Sequence, residues 1–344
     1  MFTFSKEYIL DVFKEYKEPA LFGRWITLNH IQKLFPNYEK SPKIQIDQIG
    51  SSEEDREIFQ FSLGRGKRKI LIWSQMHGNE STGTKAVFDL LNYLIGSNEA
   101  IIDLILSECT IKIIPILNPD GAQRYTRVNA NYVDLNRDAV ATAAKESVLL
   151  RKALEEFSPD FCFNLHDQRT VFGVEGTKNP ATISFLAPSE EETRMVTKGR
   201  KQTMNVIVAM NELLQQLIPN CVGRYTDEFY PTATGDNFQR IGYNTILIES
   251  GHYPDDYERE ESRKYTFISL LQGITHIASA NDFNESEAYF TIPNNQENFR
   301  DLLHVTKNEA FQYEEVLEDN RVNFVPKKID IDVSSLLFHK KTFS

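Results

Sequence analysis

Residues 69–80 read KILIWSQMHGNE. The first six form a nearly continuous apolar run of strand length, the pattern expected of a strand covered on both faces. The same kind of run returns at 111–116 (IKIIPI), and between the two, Val87, Leu90, Leu91 and Leu94 recur at helical spacing across 82–95. Further along, strand patterns at 160–165 (DFCFNL), 182–187 and 245–249 (TILIE) alternate with helical patterns near 191–217 and 257–277. Upstream, KIQIDQ at 43–48 and EIFQFSL at 57–63 alternate apolar with polar residues, as half-covered strands do. This order predicts an α/β fold, a mixed central sheet with helices on both faces. Ile9, Leu10, Phe13 and Tyr16 mark one further helix, so residues 1–40 read as an N-terminal helical extension and 41–280 as the main domain. Beyond about 281 the composition turns polar and irregular, which predicts a small C-terminal segment over 281–344 with strands near 286–291 and 322–331.

The chain has 344 residues, 41% hydrophobic and 25% charged, enough to bury a sizeable core. Its 49 acidic residues outnumber 38 basic ones, giving a net charge of -11 that disfavours broad contact with nucleic acid or an anionic membrane. Cys109, Cys162 and Cys221 show no CxxC pairing, so neither a disulfide framework nor a thiolate zinc site is indicated. Charges at Lys6, Glu7, Asp11, Lys14 and Glu15 interrupt the stretch where a signal peptide needs its apolar run, and no segment reaches membrane-spanning length. The expectation is a soluble, cytoplasmic protein.

Chemistry-bearing residues gather at the ends of the apolar strands, where sites of α/β sheets form. His77 and Glu80 stand three apart after the 69–74 run, close enough to converge on one metal ion, although an HxxE pair also arises by accident. His166, in NLHDQ, ends another strand and supplies a third nitrogen-or-carboxylate donor, the set that suits a zinc ion with one position left open. Glu249 ends a fourth strand and is either a paired structural charge or a general base. His252 beside it reads as an ordinary loop histidine or a further ligand. In the loop-like stretch 118–138, Arg127, Asn136 and Arg137 are suited to grasping a carboxylate or a polarised carbonyl.

These residues resemble the zinc carboxypeptidase superfamily in motif and in order. HGNE at 77–80, NPDG at 118–121, RVNANYVDLNR at 127–137, LH at 165–166 and ESG at 249–251 are similar to that family's successive motifs, across about residues 43–278. The resemblance implies one zinc ion on His77, Glu80 and His166, Glu249 activating water, Arg127 on the oxyanion, and Asn136 with Arg137 on the substrate's terminal carboxylate. It implies Asp134 as the acceptor for the N–H of His77. The family's mobile tyrosine falls on Tyr230, with Tyr225 or no tyrosine as alternatives, because the spacing from Gly235 to Glu249 is short. Its specificity position falls on Asn237, with Asp236 beside it leaving the register open. The implied activity is hydrolysis of an amide next to a free carboxylate, on a peptide or acyl amino acid. HGNE and NLHDQ are also reminiscent of the branch that deacylates N-acyl amino acids, such as succinylglutamate desuccinylase and aspartoacylase. A third alternative is an inactive module that binds peptide C-termini.

Overall fold

The computed structural model describes residues 3–330, 332, 334 and 336–343. In chain order its first strands are β1 (Ile44–Ser51), β2 (Glu57–Gly64), β3 (Arg68–Trp73), β4 (Cys109–Ile114) and β5 (Phe161–Asp167). They are followed by β6 (Phe172–Val174), β7 (Ile183–Leu186), β8 (Val222–Arg224) and β9 (Asn244–Ser250). Among the described residues eight of these make one sheet in the order β1-β2-β4-β3-β5-β9-β7-β8. The middle of it, β4-β3-β5-β9, is parallel; β1, β2 and β4 pair antiparallel on one side, and on the other β7 is antiparallel to β9 while the edge strand β8 is parallel to β7. The continuous apolar runs lie in these parallel strands, which are buried on both faces, whereas the alternating β1 is half exposed. Helices Thr82–Gly96, Lys198–Leu217 and Glu260–Ser279 pack on one face and Lys145–Phe157 on the other. The mixed α/β architecture read from the sequence is the one the chain adopts.

The helical segment before residue 40 joins the same core. Phe4, Ile9, Val12, Phe13, Leu21 and Ile31 are buried against it. A charged network locks this segment in place. Arg263 and Asp89, both without exposed side-chain surface, pair at 2.6 Å, and the same guanidinium donates to the carbonyls of Glu18 and Leu21. A charge pair this deep persists because every donor and acceptor finds a partner.

Past residue 281 the strand expected near 322–331 is present as Arg321–Ile329, but before it the structure departs from the sequence expectation. Residues Glu287–Thr291 form a 3-10 turn in place of the strand expected near 286–291; Tyr289 turns inward there, its ring fully buried and its hydroxyl 3.0 Å from the Ala187 amide. Strand β10 (Asn295–Glu297) pairs with β6. Then β11 (Phe299–His304), β12 (Glu309–Glu318), β13 (Arg321–Ile329) and β14 (Leu337–Thr342) build a second sheet, ordered β13-β12-β11-β14. The two long helices begin later than their periodicity suggested, at Lys198 and Glu260.

Candidate metal and substrate site

The site forms where the parallel strands end. The turn after β3 carries His77 and Glu80, β5 itself carries His166, and β9 carries Glu249 directly opposite His166 in the strand register. Two glycines shape the turn. A Cβ on Gly78 would lie 1.9 Å from the Gly121 carbonyl carbon, so the HGNE and NPDG segments meet backbone to backbone. Asn118 holds them together: its side-chain oxygen caps the Pro119–Arg124 helix by accepting from the Gly121 amide at 2.8 Å, and its amide donates to the Met76 carbonyl at 3.2 Å. The NPDG stretch is thus the buttress of the ligand turn.

Three donor atoms converge. His77 Nδ1 lies 2.9 Å from Glu80 Oε1, His166 Nδ1 lies 2.9 Å from Glu80 Oε2, and the two Nδ1 atoms are 3.2 Å apart. All possible ligand atoms of the trio lie within 4.8 Å of one another, and all three residues are buried. In a tetrahedral zinc site with bonds of about 2.0–2.2 Å, ligand atoms sit about 3.3–3.6 Å apart, close to these separations. The far ring nitrogen of His77 lies 3.0 Å from Asp134 Oδ1, which fixes it as the protonated one and leaves Nδ1 free to ligate. The residues present therefore fit a zinc ion.

The electrostatics point the same way. Burial alone would push the Glu80 carboxyl up, but the charge and hydrogen bonds of His77 and His166 hold it well below its ordinary value. Burial pushes the Glu249 carboxyl well above the ordinary glutamate range, and the charges of Glu80 and Asp167 push it the same way. Among the described residues the Glu249 side chain makes no hydrogen bond, so its carboxylate is uncommitted.

Arg127 donates from Nε to Asp134 at 3.0 Å and from Nη1 to Glu80 at 3.3 Å. Asn136 and the exposed Arg137 follow on the 3-10 turn Leu135–Arg137, with the Asn136 side-chain oxygen accepting from the Thr234 amide at 3.1 Å. Arg127, Asn136 and Arg137 line one cavity of about 720 Å³ together with the triad and Glu249.

Tyr230 is placed elsewhere. It is 48% exposed, donates to Glu228, and is not among the residues lining the cavity. Tyr225 does line it, its ring edge-on to Phe172 at 5.4 Å and its hydroxyl pKa raised by burial and by Glu249. Asn237 accepts from Arg151 and Asp236 from the Tyr230 amide, and neither lines the cavity. His252 is buried apart from the triad, its ring 4.0 Å from that of His339. Sequence reading did not find Arg24, Arg259 or the C-terminal residues Asp301, Gln312, Tyr313, Glu315 and Phe324, all of which line the cavity. No motif or spacing signals them.

The zinc carboxypeptidase family profile matches residues 31–213, more than half of the chain. The chain belongs to the zinc carboxypeptidase family. Among relatives of this zinc carboxypeptidase family member, "Probable carboxypeptidase 2" of Trichophyton verrucosum is 30% identical over 102 residues, covering 29% of this chain and 20% of that protein. Carboxypeptidase E of Caenorhabditis elegans is 34% identical over 148 residues, 36% of this chain and 31% of that one. The family member thus spans about a fifth of the length of the first of these and about a third of the second. Its fold is that of a metallo-carboxypeptidase from Burkholderia cenocepacia (TM-score 0.60, 19% identity, 73% of this chain and 69% of that one). It is equally that of carboxypeptidase A from Helicoverpa armigera (TM-score 0.59, 15% identity, 80% of each chain).

Proposed function

We propose that the protein is a zinc-dependent carboxypeptidase that hydrolyses the amide bond next to a free terminal carboxylate, using one zinc ion on His77, Glu80 and His166. The observation that carries this reading is the convergence of those three donors beside an uncommitted, buried-edge Glu249 on the neighbouring strand. Zinc at the triad would supply Lewis acidity toward the scissile carbonyl and a more acidic water. Glu249 takes the proton from the water as its oxygen adds to the carbonyl carbon, then delivers it to the leaving amine as the C–N bond breaks; a raised pKa suits a group that must hold a proton for part of the cycle. Arg127, braced by Asp134 and Glu80, is suited to the charge that develops on the carbonyl oxygen. Asn136 and Arg137, which line the same cavity, hold the terminal carboxylate in this reading through charge-assisted hydrogen bonds.

The test is a two-by-two set of rates, with free-acid and C-terminally amidated versions of one peptide, on the unmodified protein and on Arg137→Ala. Either change is expected to cost about 1.5–3 kcal/mol in kcat/KM, and the two together little more than one, because they remove the same interaction. Equal cleavage of acid and amide by the unmodified protein overturns the reading. Cleavage of N-acyl amino acids with no cleavage of peptides transfers it to the deacylase branch.

A further inference from the structure

The residues around the triad form a chain of polar contacts that leads from Asp134 to the C-terminal sheet. Next to His77, Asp134 accepts from the imidazole, from Arg127 Nε and from the Asn136 amide, and the Asn136 side-chain oxygen accepts from the Thr234 amide. Next to Glu80, the Asp167 amide donates to the carboxylate, and Asp167 lies within the field of the buried Arg24, which pairs with Glu315 of β12 at 3.0 Å. Beyond Arg24 the wall is supplied by the C-terminal sheet through Asp301, Gln312, Tyr313, Glu315 and Phe324. That sheet lies wholly outside residues 31–213, the part matched by the family profile.

The sheet is fixed to the main domain by buried polar contacts. Asp301 has no exposed surface and accepts from the Tyr257 hydroxyl at 2.9 Å, the Tyr313 amide at 2.8 Å and the Thr170 hydroxyl at 3.3 Å, so one carboxylate joins both units. Glu315 takes both the Arg24 guanidinium and the Tyr125 hydroxyl; burial works against its charge, yet Arg24 and Tyr125 hold its carboxyl below its ordinary value. His339 of β14 contacts the Thr170 carbonyl at 2.8 Å, and Tyr257 packs its ring edge-on to Tyr313 at 5.2 Å. Swinging the sheet away would strip Arg24 of its carboxylate partner.

We infer that this sheet is a fixed wall of the substrate cavity on the acyl side of the scissile bond, and that it confines substrates to short peptides. The orientation rests on the proposed function, which sets the substrate carboxylate on Arg137 and so directs the rest of the peptide past the triad toward Arg24, Tyr313 and Phe324. A cavity of about 720 Å³ is of the size that encloses a drug-sized ligand, which for a peptide is about two to four residues. Longer chains meet β12 and β13, where Tyr313 and Phe324 stand. The sheet rejects them by steric clash.

The experiment is a length series of peptides sharing the same last two residues and a free carboxylate, running from dipeptide to decapeptide. For the unmodified protein, kcat/KM is expected to fall at least ~10-fold between the tetrapeptide and the decapeptide, and Tyr313→Ala or Phe324→Ala to recover at least ~5-fold of the ratio. The same peptides are titrated calorimetrically into zinc-loaded Glu249→Gln, where Kd is expected to rise with length in parallel. Rates and Kd values indifferent to length overturn the wall. Length-dependent Kd with no cleavage of any peptide supports the wall and overturns the proposed function. Absence of binding at every length overturns both.

Discussion

Glu249 faces His166 across the β5–β9 register with its carboxylate uncommitted, which is the arrangement a proton carrier needs. Glu249→Gln keeps the shape and removes the basicity, so zinc content and substrate affinity are expected to stay while kcat falls by roughly 100-fold or more. Single-turnover rates with metal analysis on the same sample check this. Near-normal turnover would sink the assignment, and loss of zinc would make Glu249 a ligand. At this scale the sequence was readable wherever a residue sat at the end of an apolar strand, because such ends gather on one edge of a sheet. That is why His77, Glu80, His166 and Glu249 could be picked out beforehand. The tyrosine was not readable: residues 225–233 follow no period, and nothing in their order says that Tyr225 turns toward the cavity while Tyr230 points to solvent. Arg259 was equally hidden. Its guanidinium is buried because it donates to the carbonyls of Ser250 and Gln168, and the second of these is remote in sequence.

At the scale of elements, two effects compete in the last turn of helix Glu260–Ser279. A protonated histidine there would gain about 0.3–1 kcal/mol from the helix dipole. Burial outweighs it at His276: the ring is 4% exposed, packs edge-on to Phe283 and contacts Asn205 at 2.6 Å, and its pKa is pushed down to about 4 by burial and by the charge of Arg68. In the unfolded chain the same group titrates near its ordinary value of about 6.5. Below that value the unfolded state binds a proton that the folded state refuses, so stability is expected to decline as pH falls from about 6.5 to about 4. Denaturant titrations across that window should show the decline, and His276→Gln should make it shallower, the remainder coming from other buried histidines such as His252. A slope identical in both proteins would refute the assignment. Elements of the main sheet were legible because β3, β4, β5 and β9 are buried on both faces and their sequences say so. Helix Ala100–Glu108 was not, since AIIDLILSE runs straight into CTIKII and one apolar stretch hides the boundary between two structures. The C-terminal strands were obscured differently. In EAFQYEEVLE of β12 most side chains are only half covered, so their hydrophobic alternation is diluted by Glu309, Glu314 and Glu315.

For the whole molecule, a zinc ion bound by the folded triad and not by the unfolded chain would act as a stabilising ligand. At a free concentration of 1,000 times Kd the gain is about 4 kcal/mol. One zinc per chain is therefore expected, and a strong chelator is expected to abolish activity and lower Tm together, with both restored on adding zinc back. Activity and Tm that ignore the chelator would exclude a working metal.

The buried pair of Arg263 and Asp89 has a consequence for how the molecule comes to exist. The Arg263 guanidinium finds two of its acceptors at the carbonyls of Leu21 and Glu18, 242 and 245 positions earlier in the chain. Glu260, three positions earlier on its own helix, gives it a local partner at 3.1 Å, but these two acceptors exist only once the distant segment is in place. Closing so large a loop costs conformational entropy before any contact repays it, and chains ruled by distant contacts fold slowly. The N-terminal helix also rests on helix Thr82–Gly96, through Tyr93 and Asn92, but the half of its seat that Glu260–Ser279 supplies, Phe267 against Phe13 included, is complete only after that later helix has been made. The final securing of this segment is thus a late, collective event that joins helices made far apart in the chain.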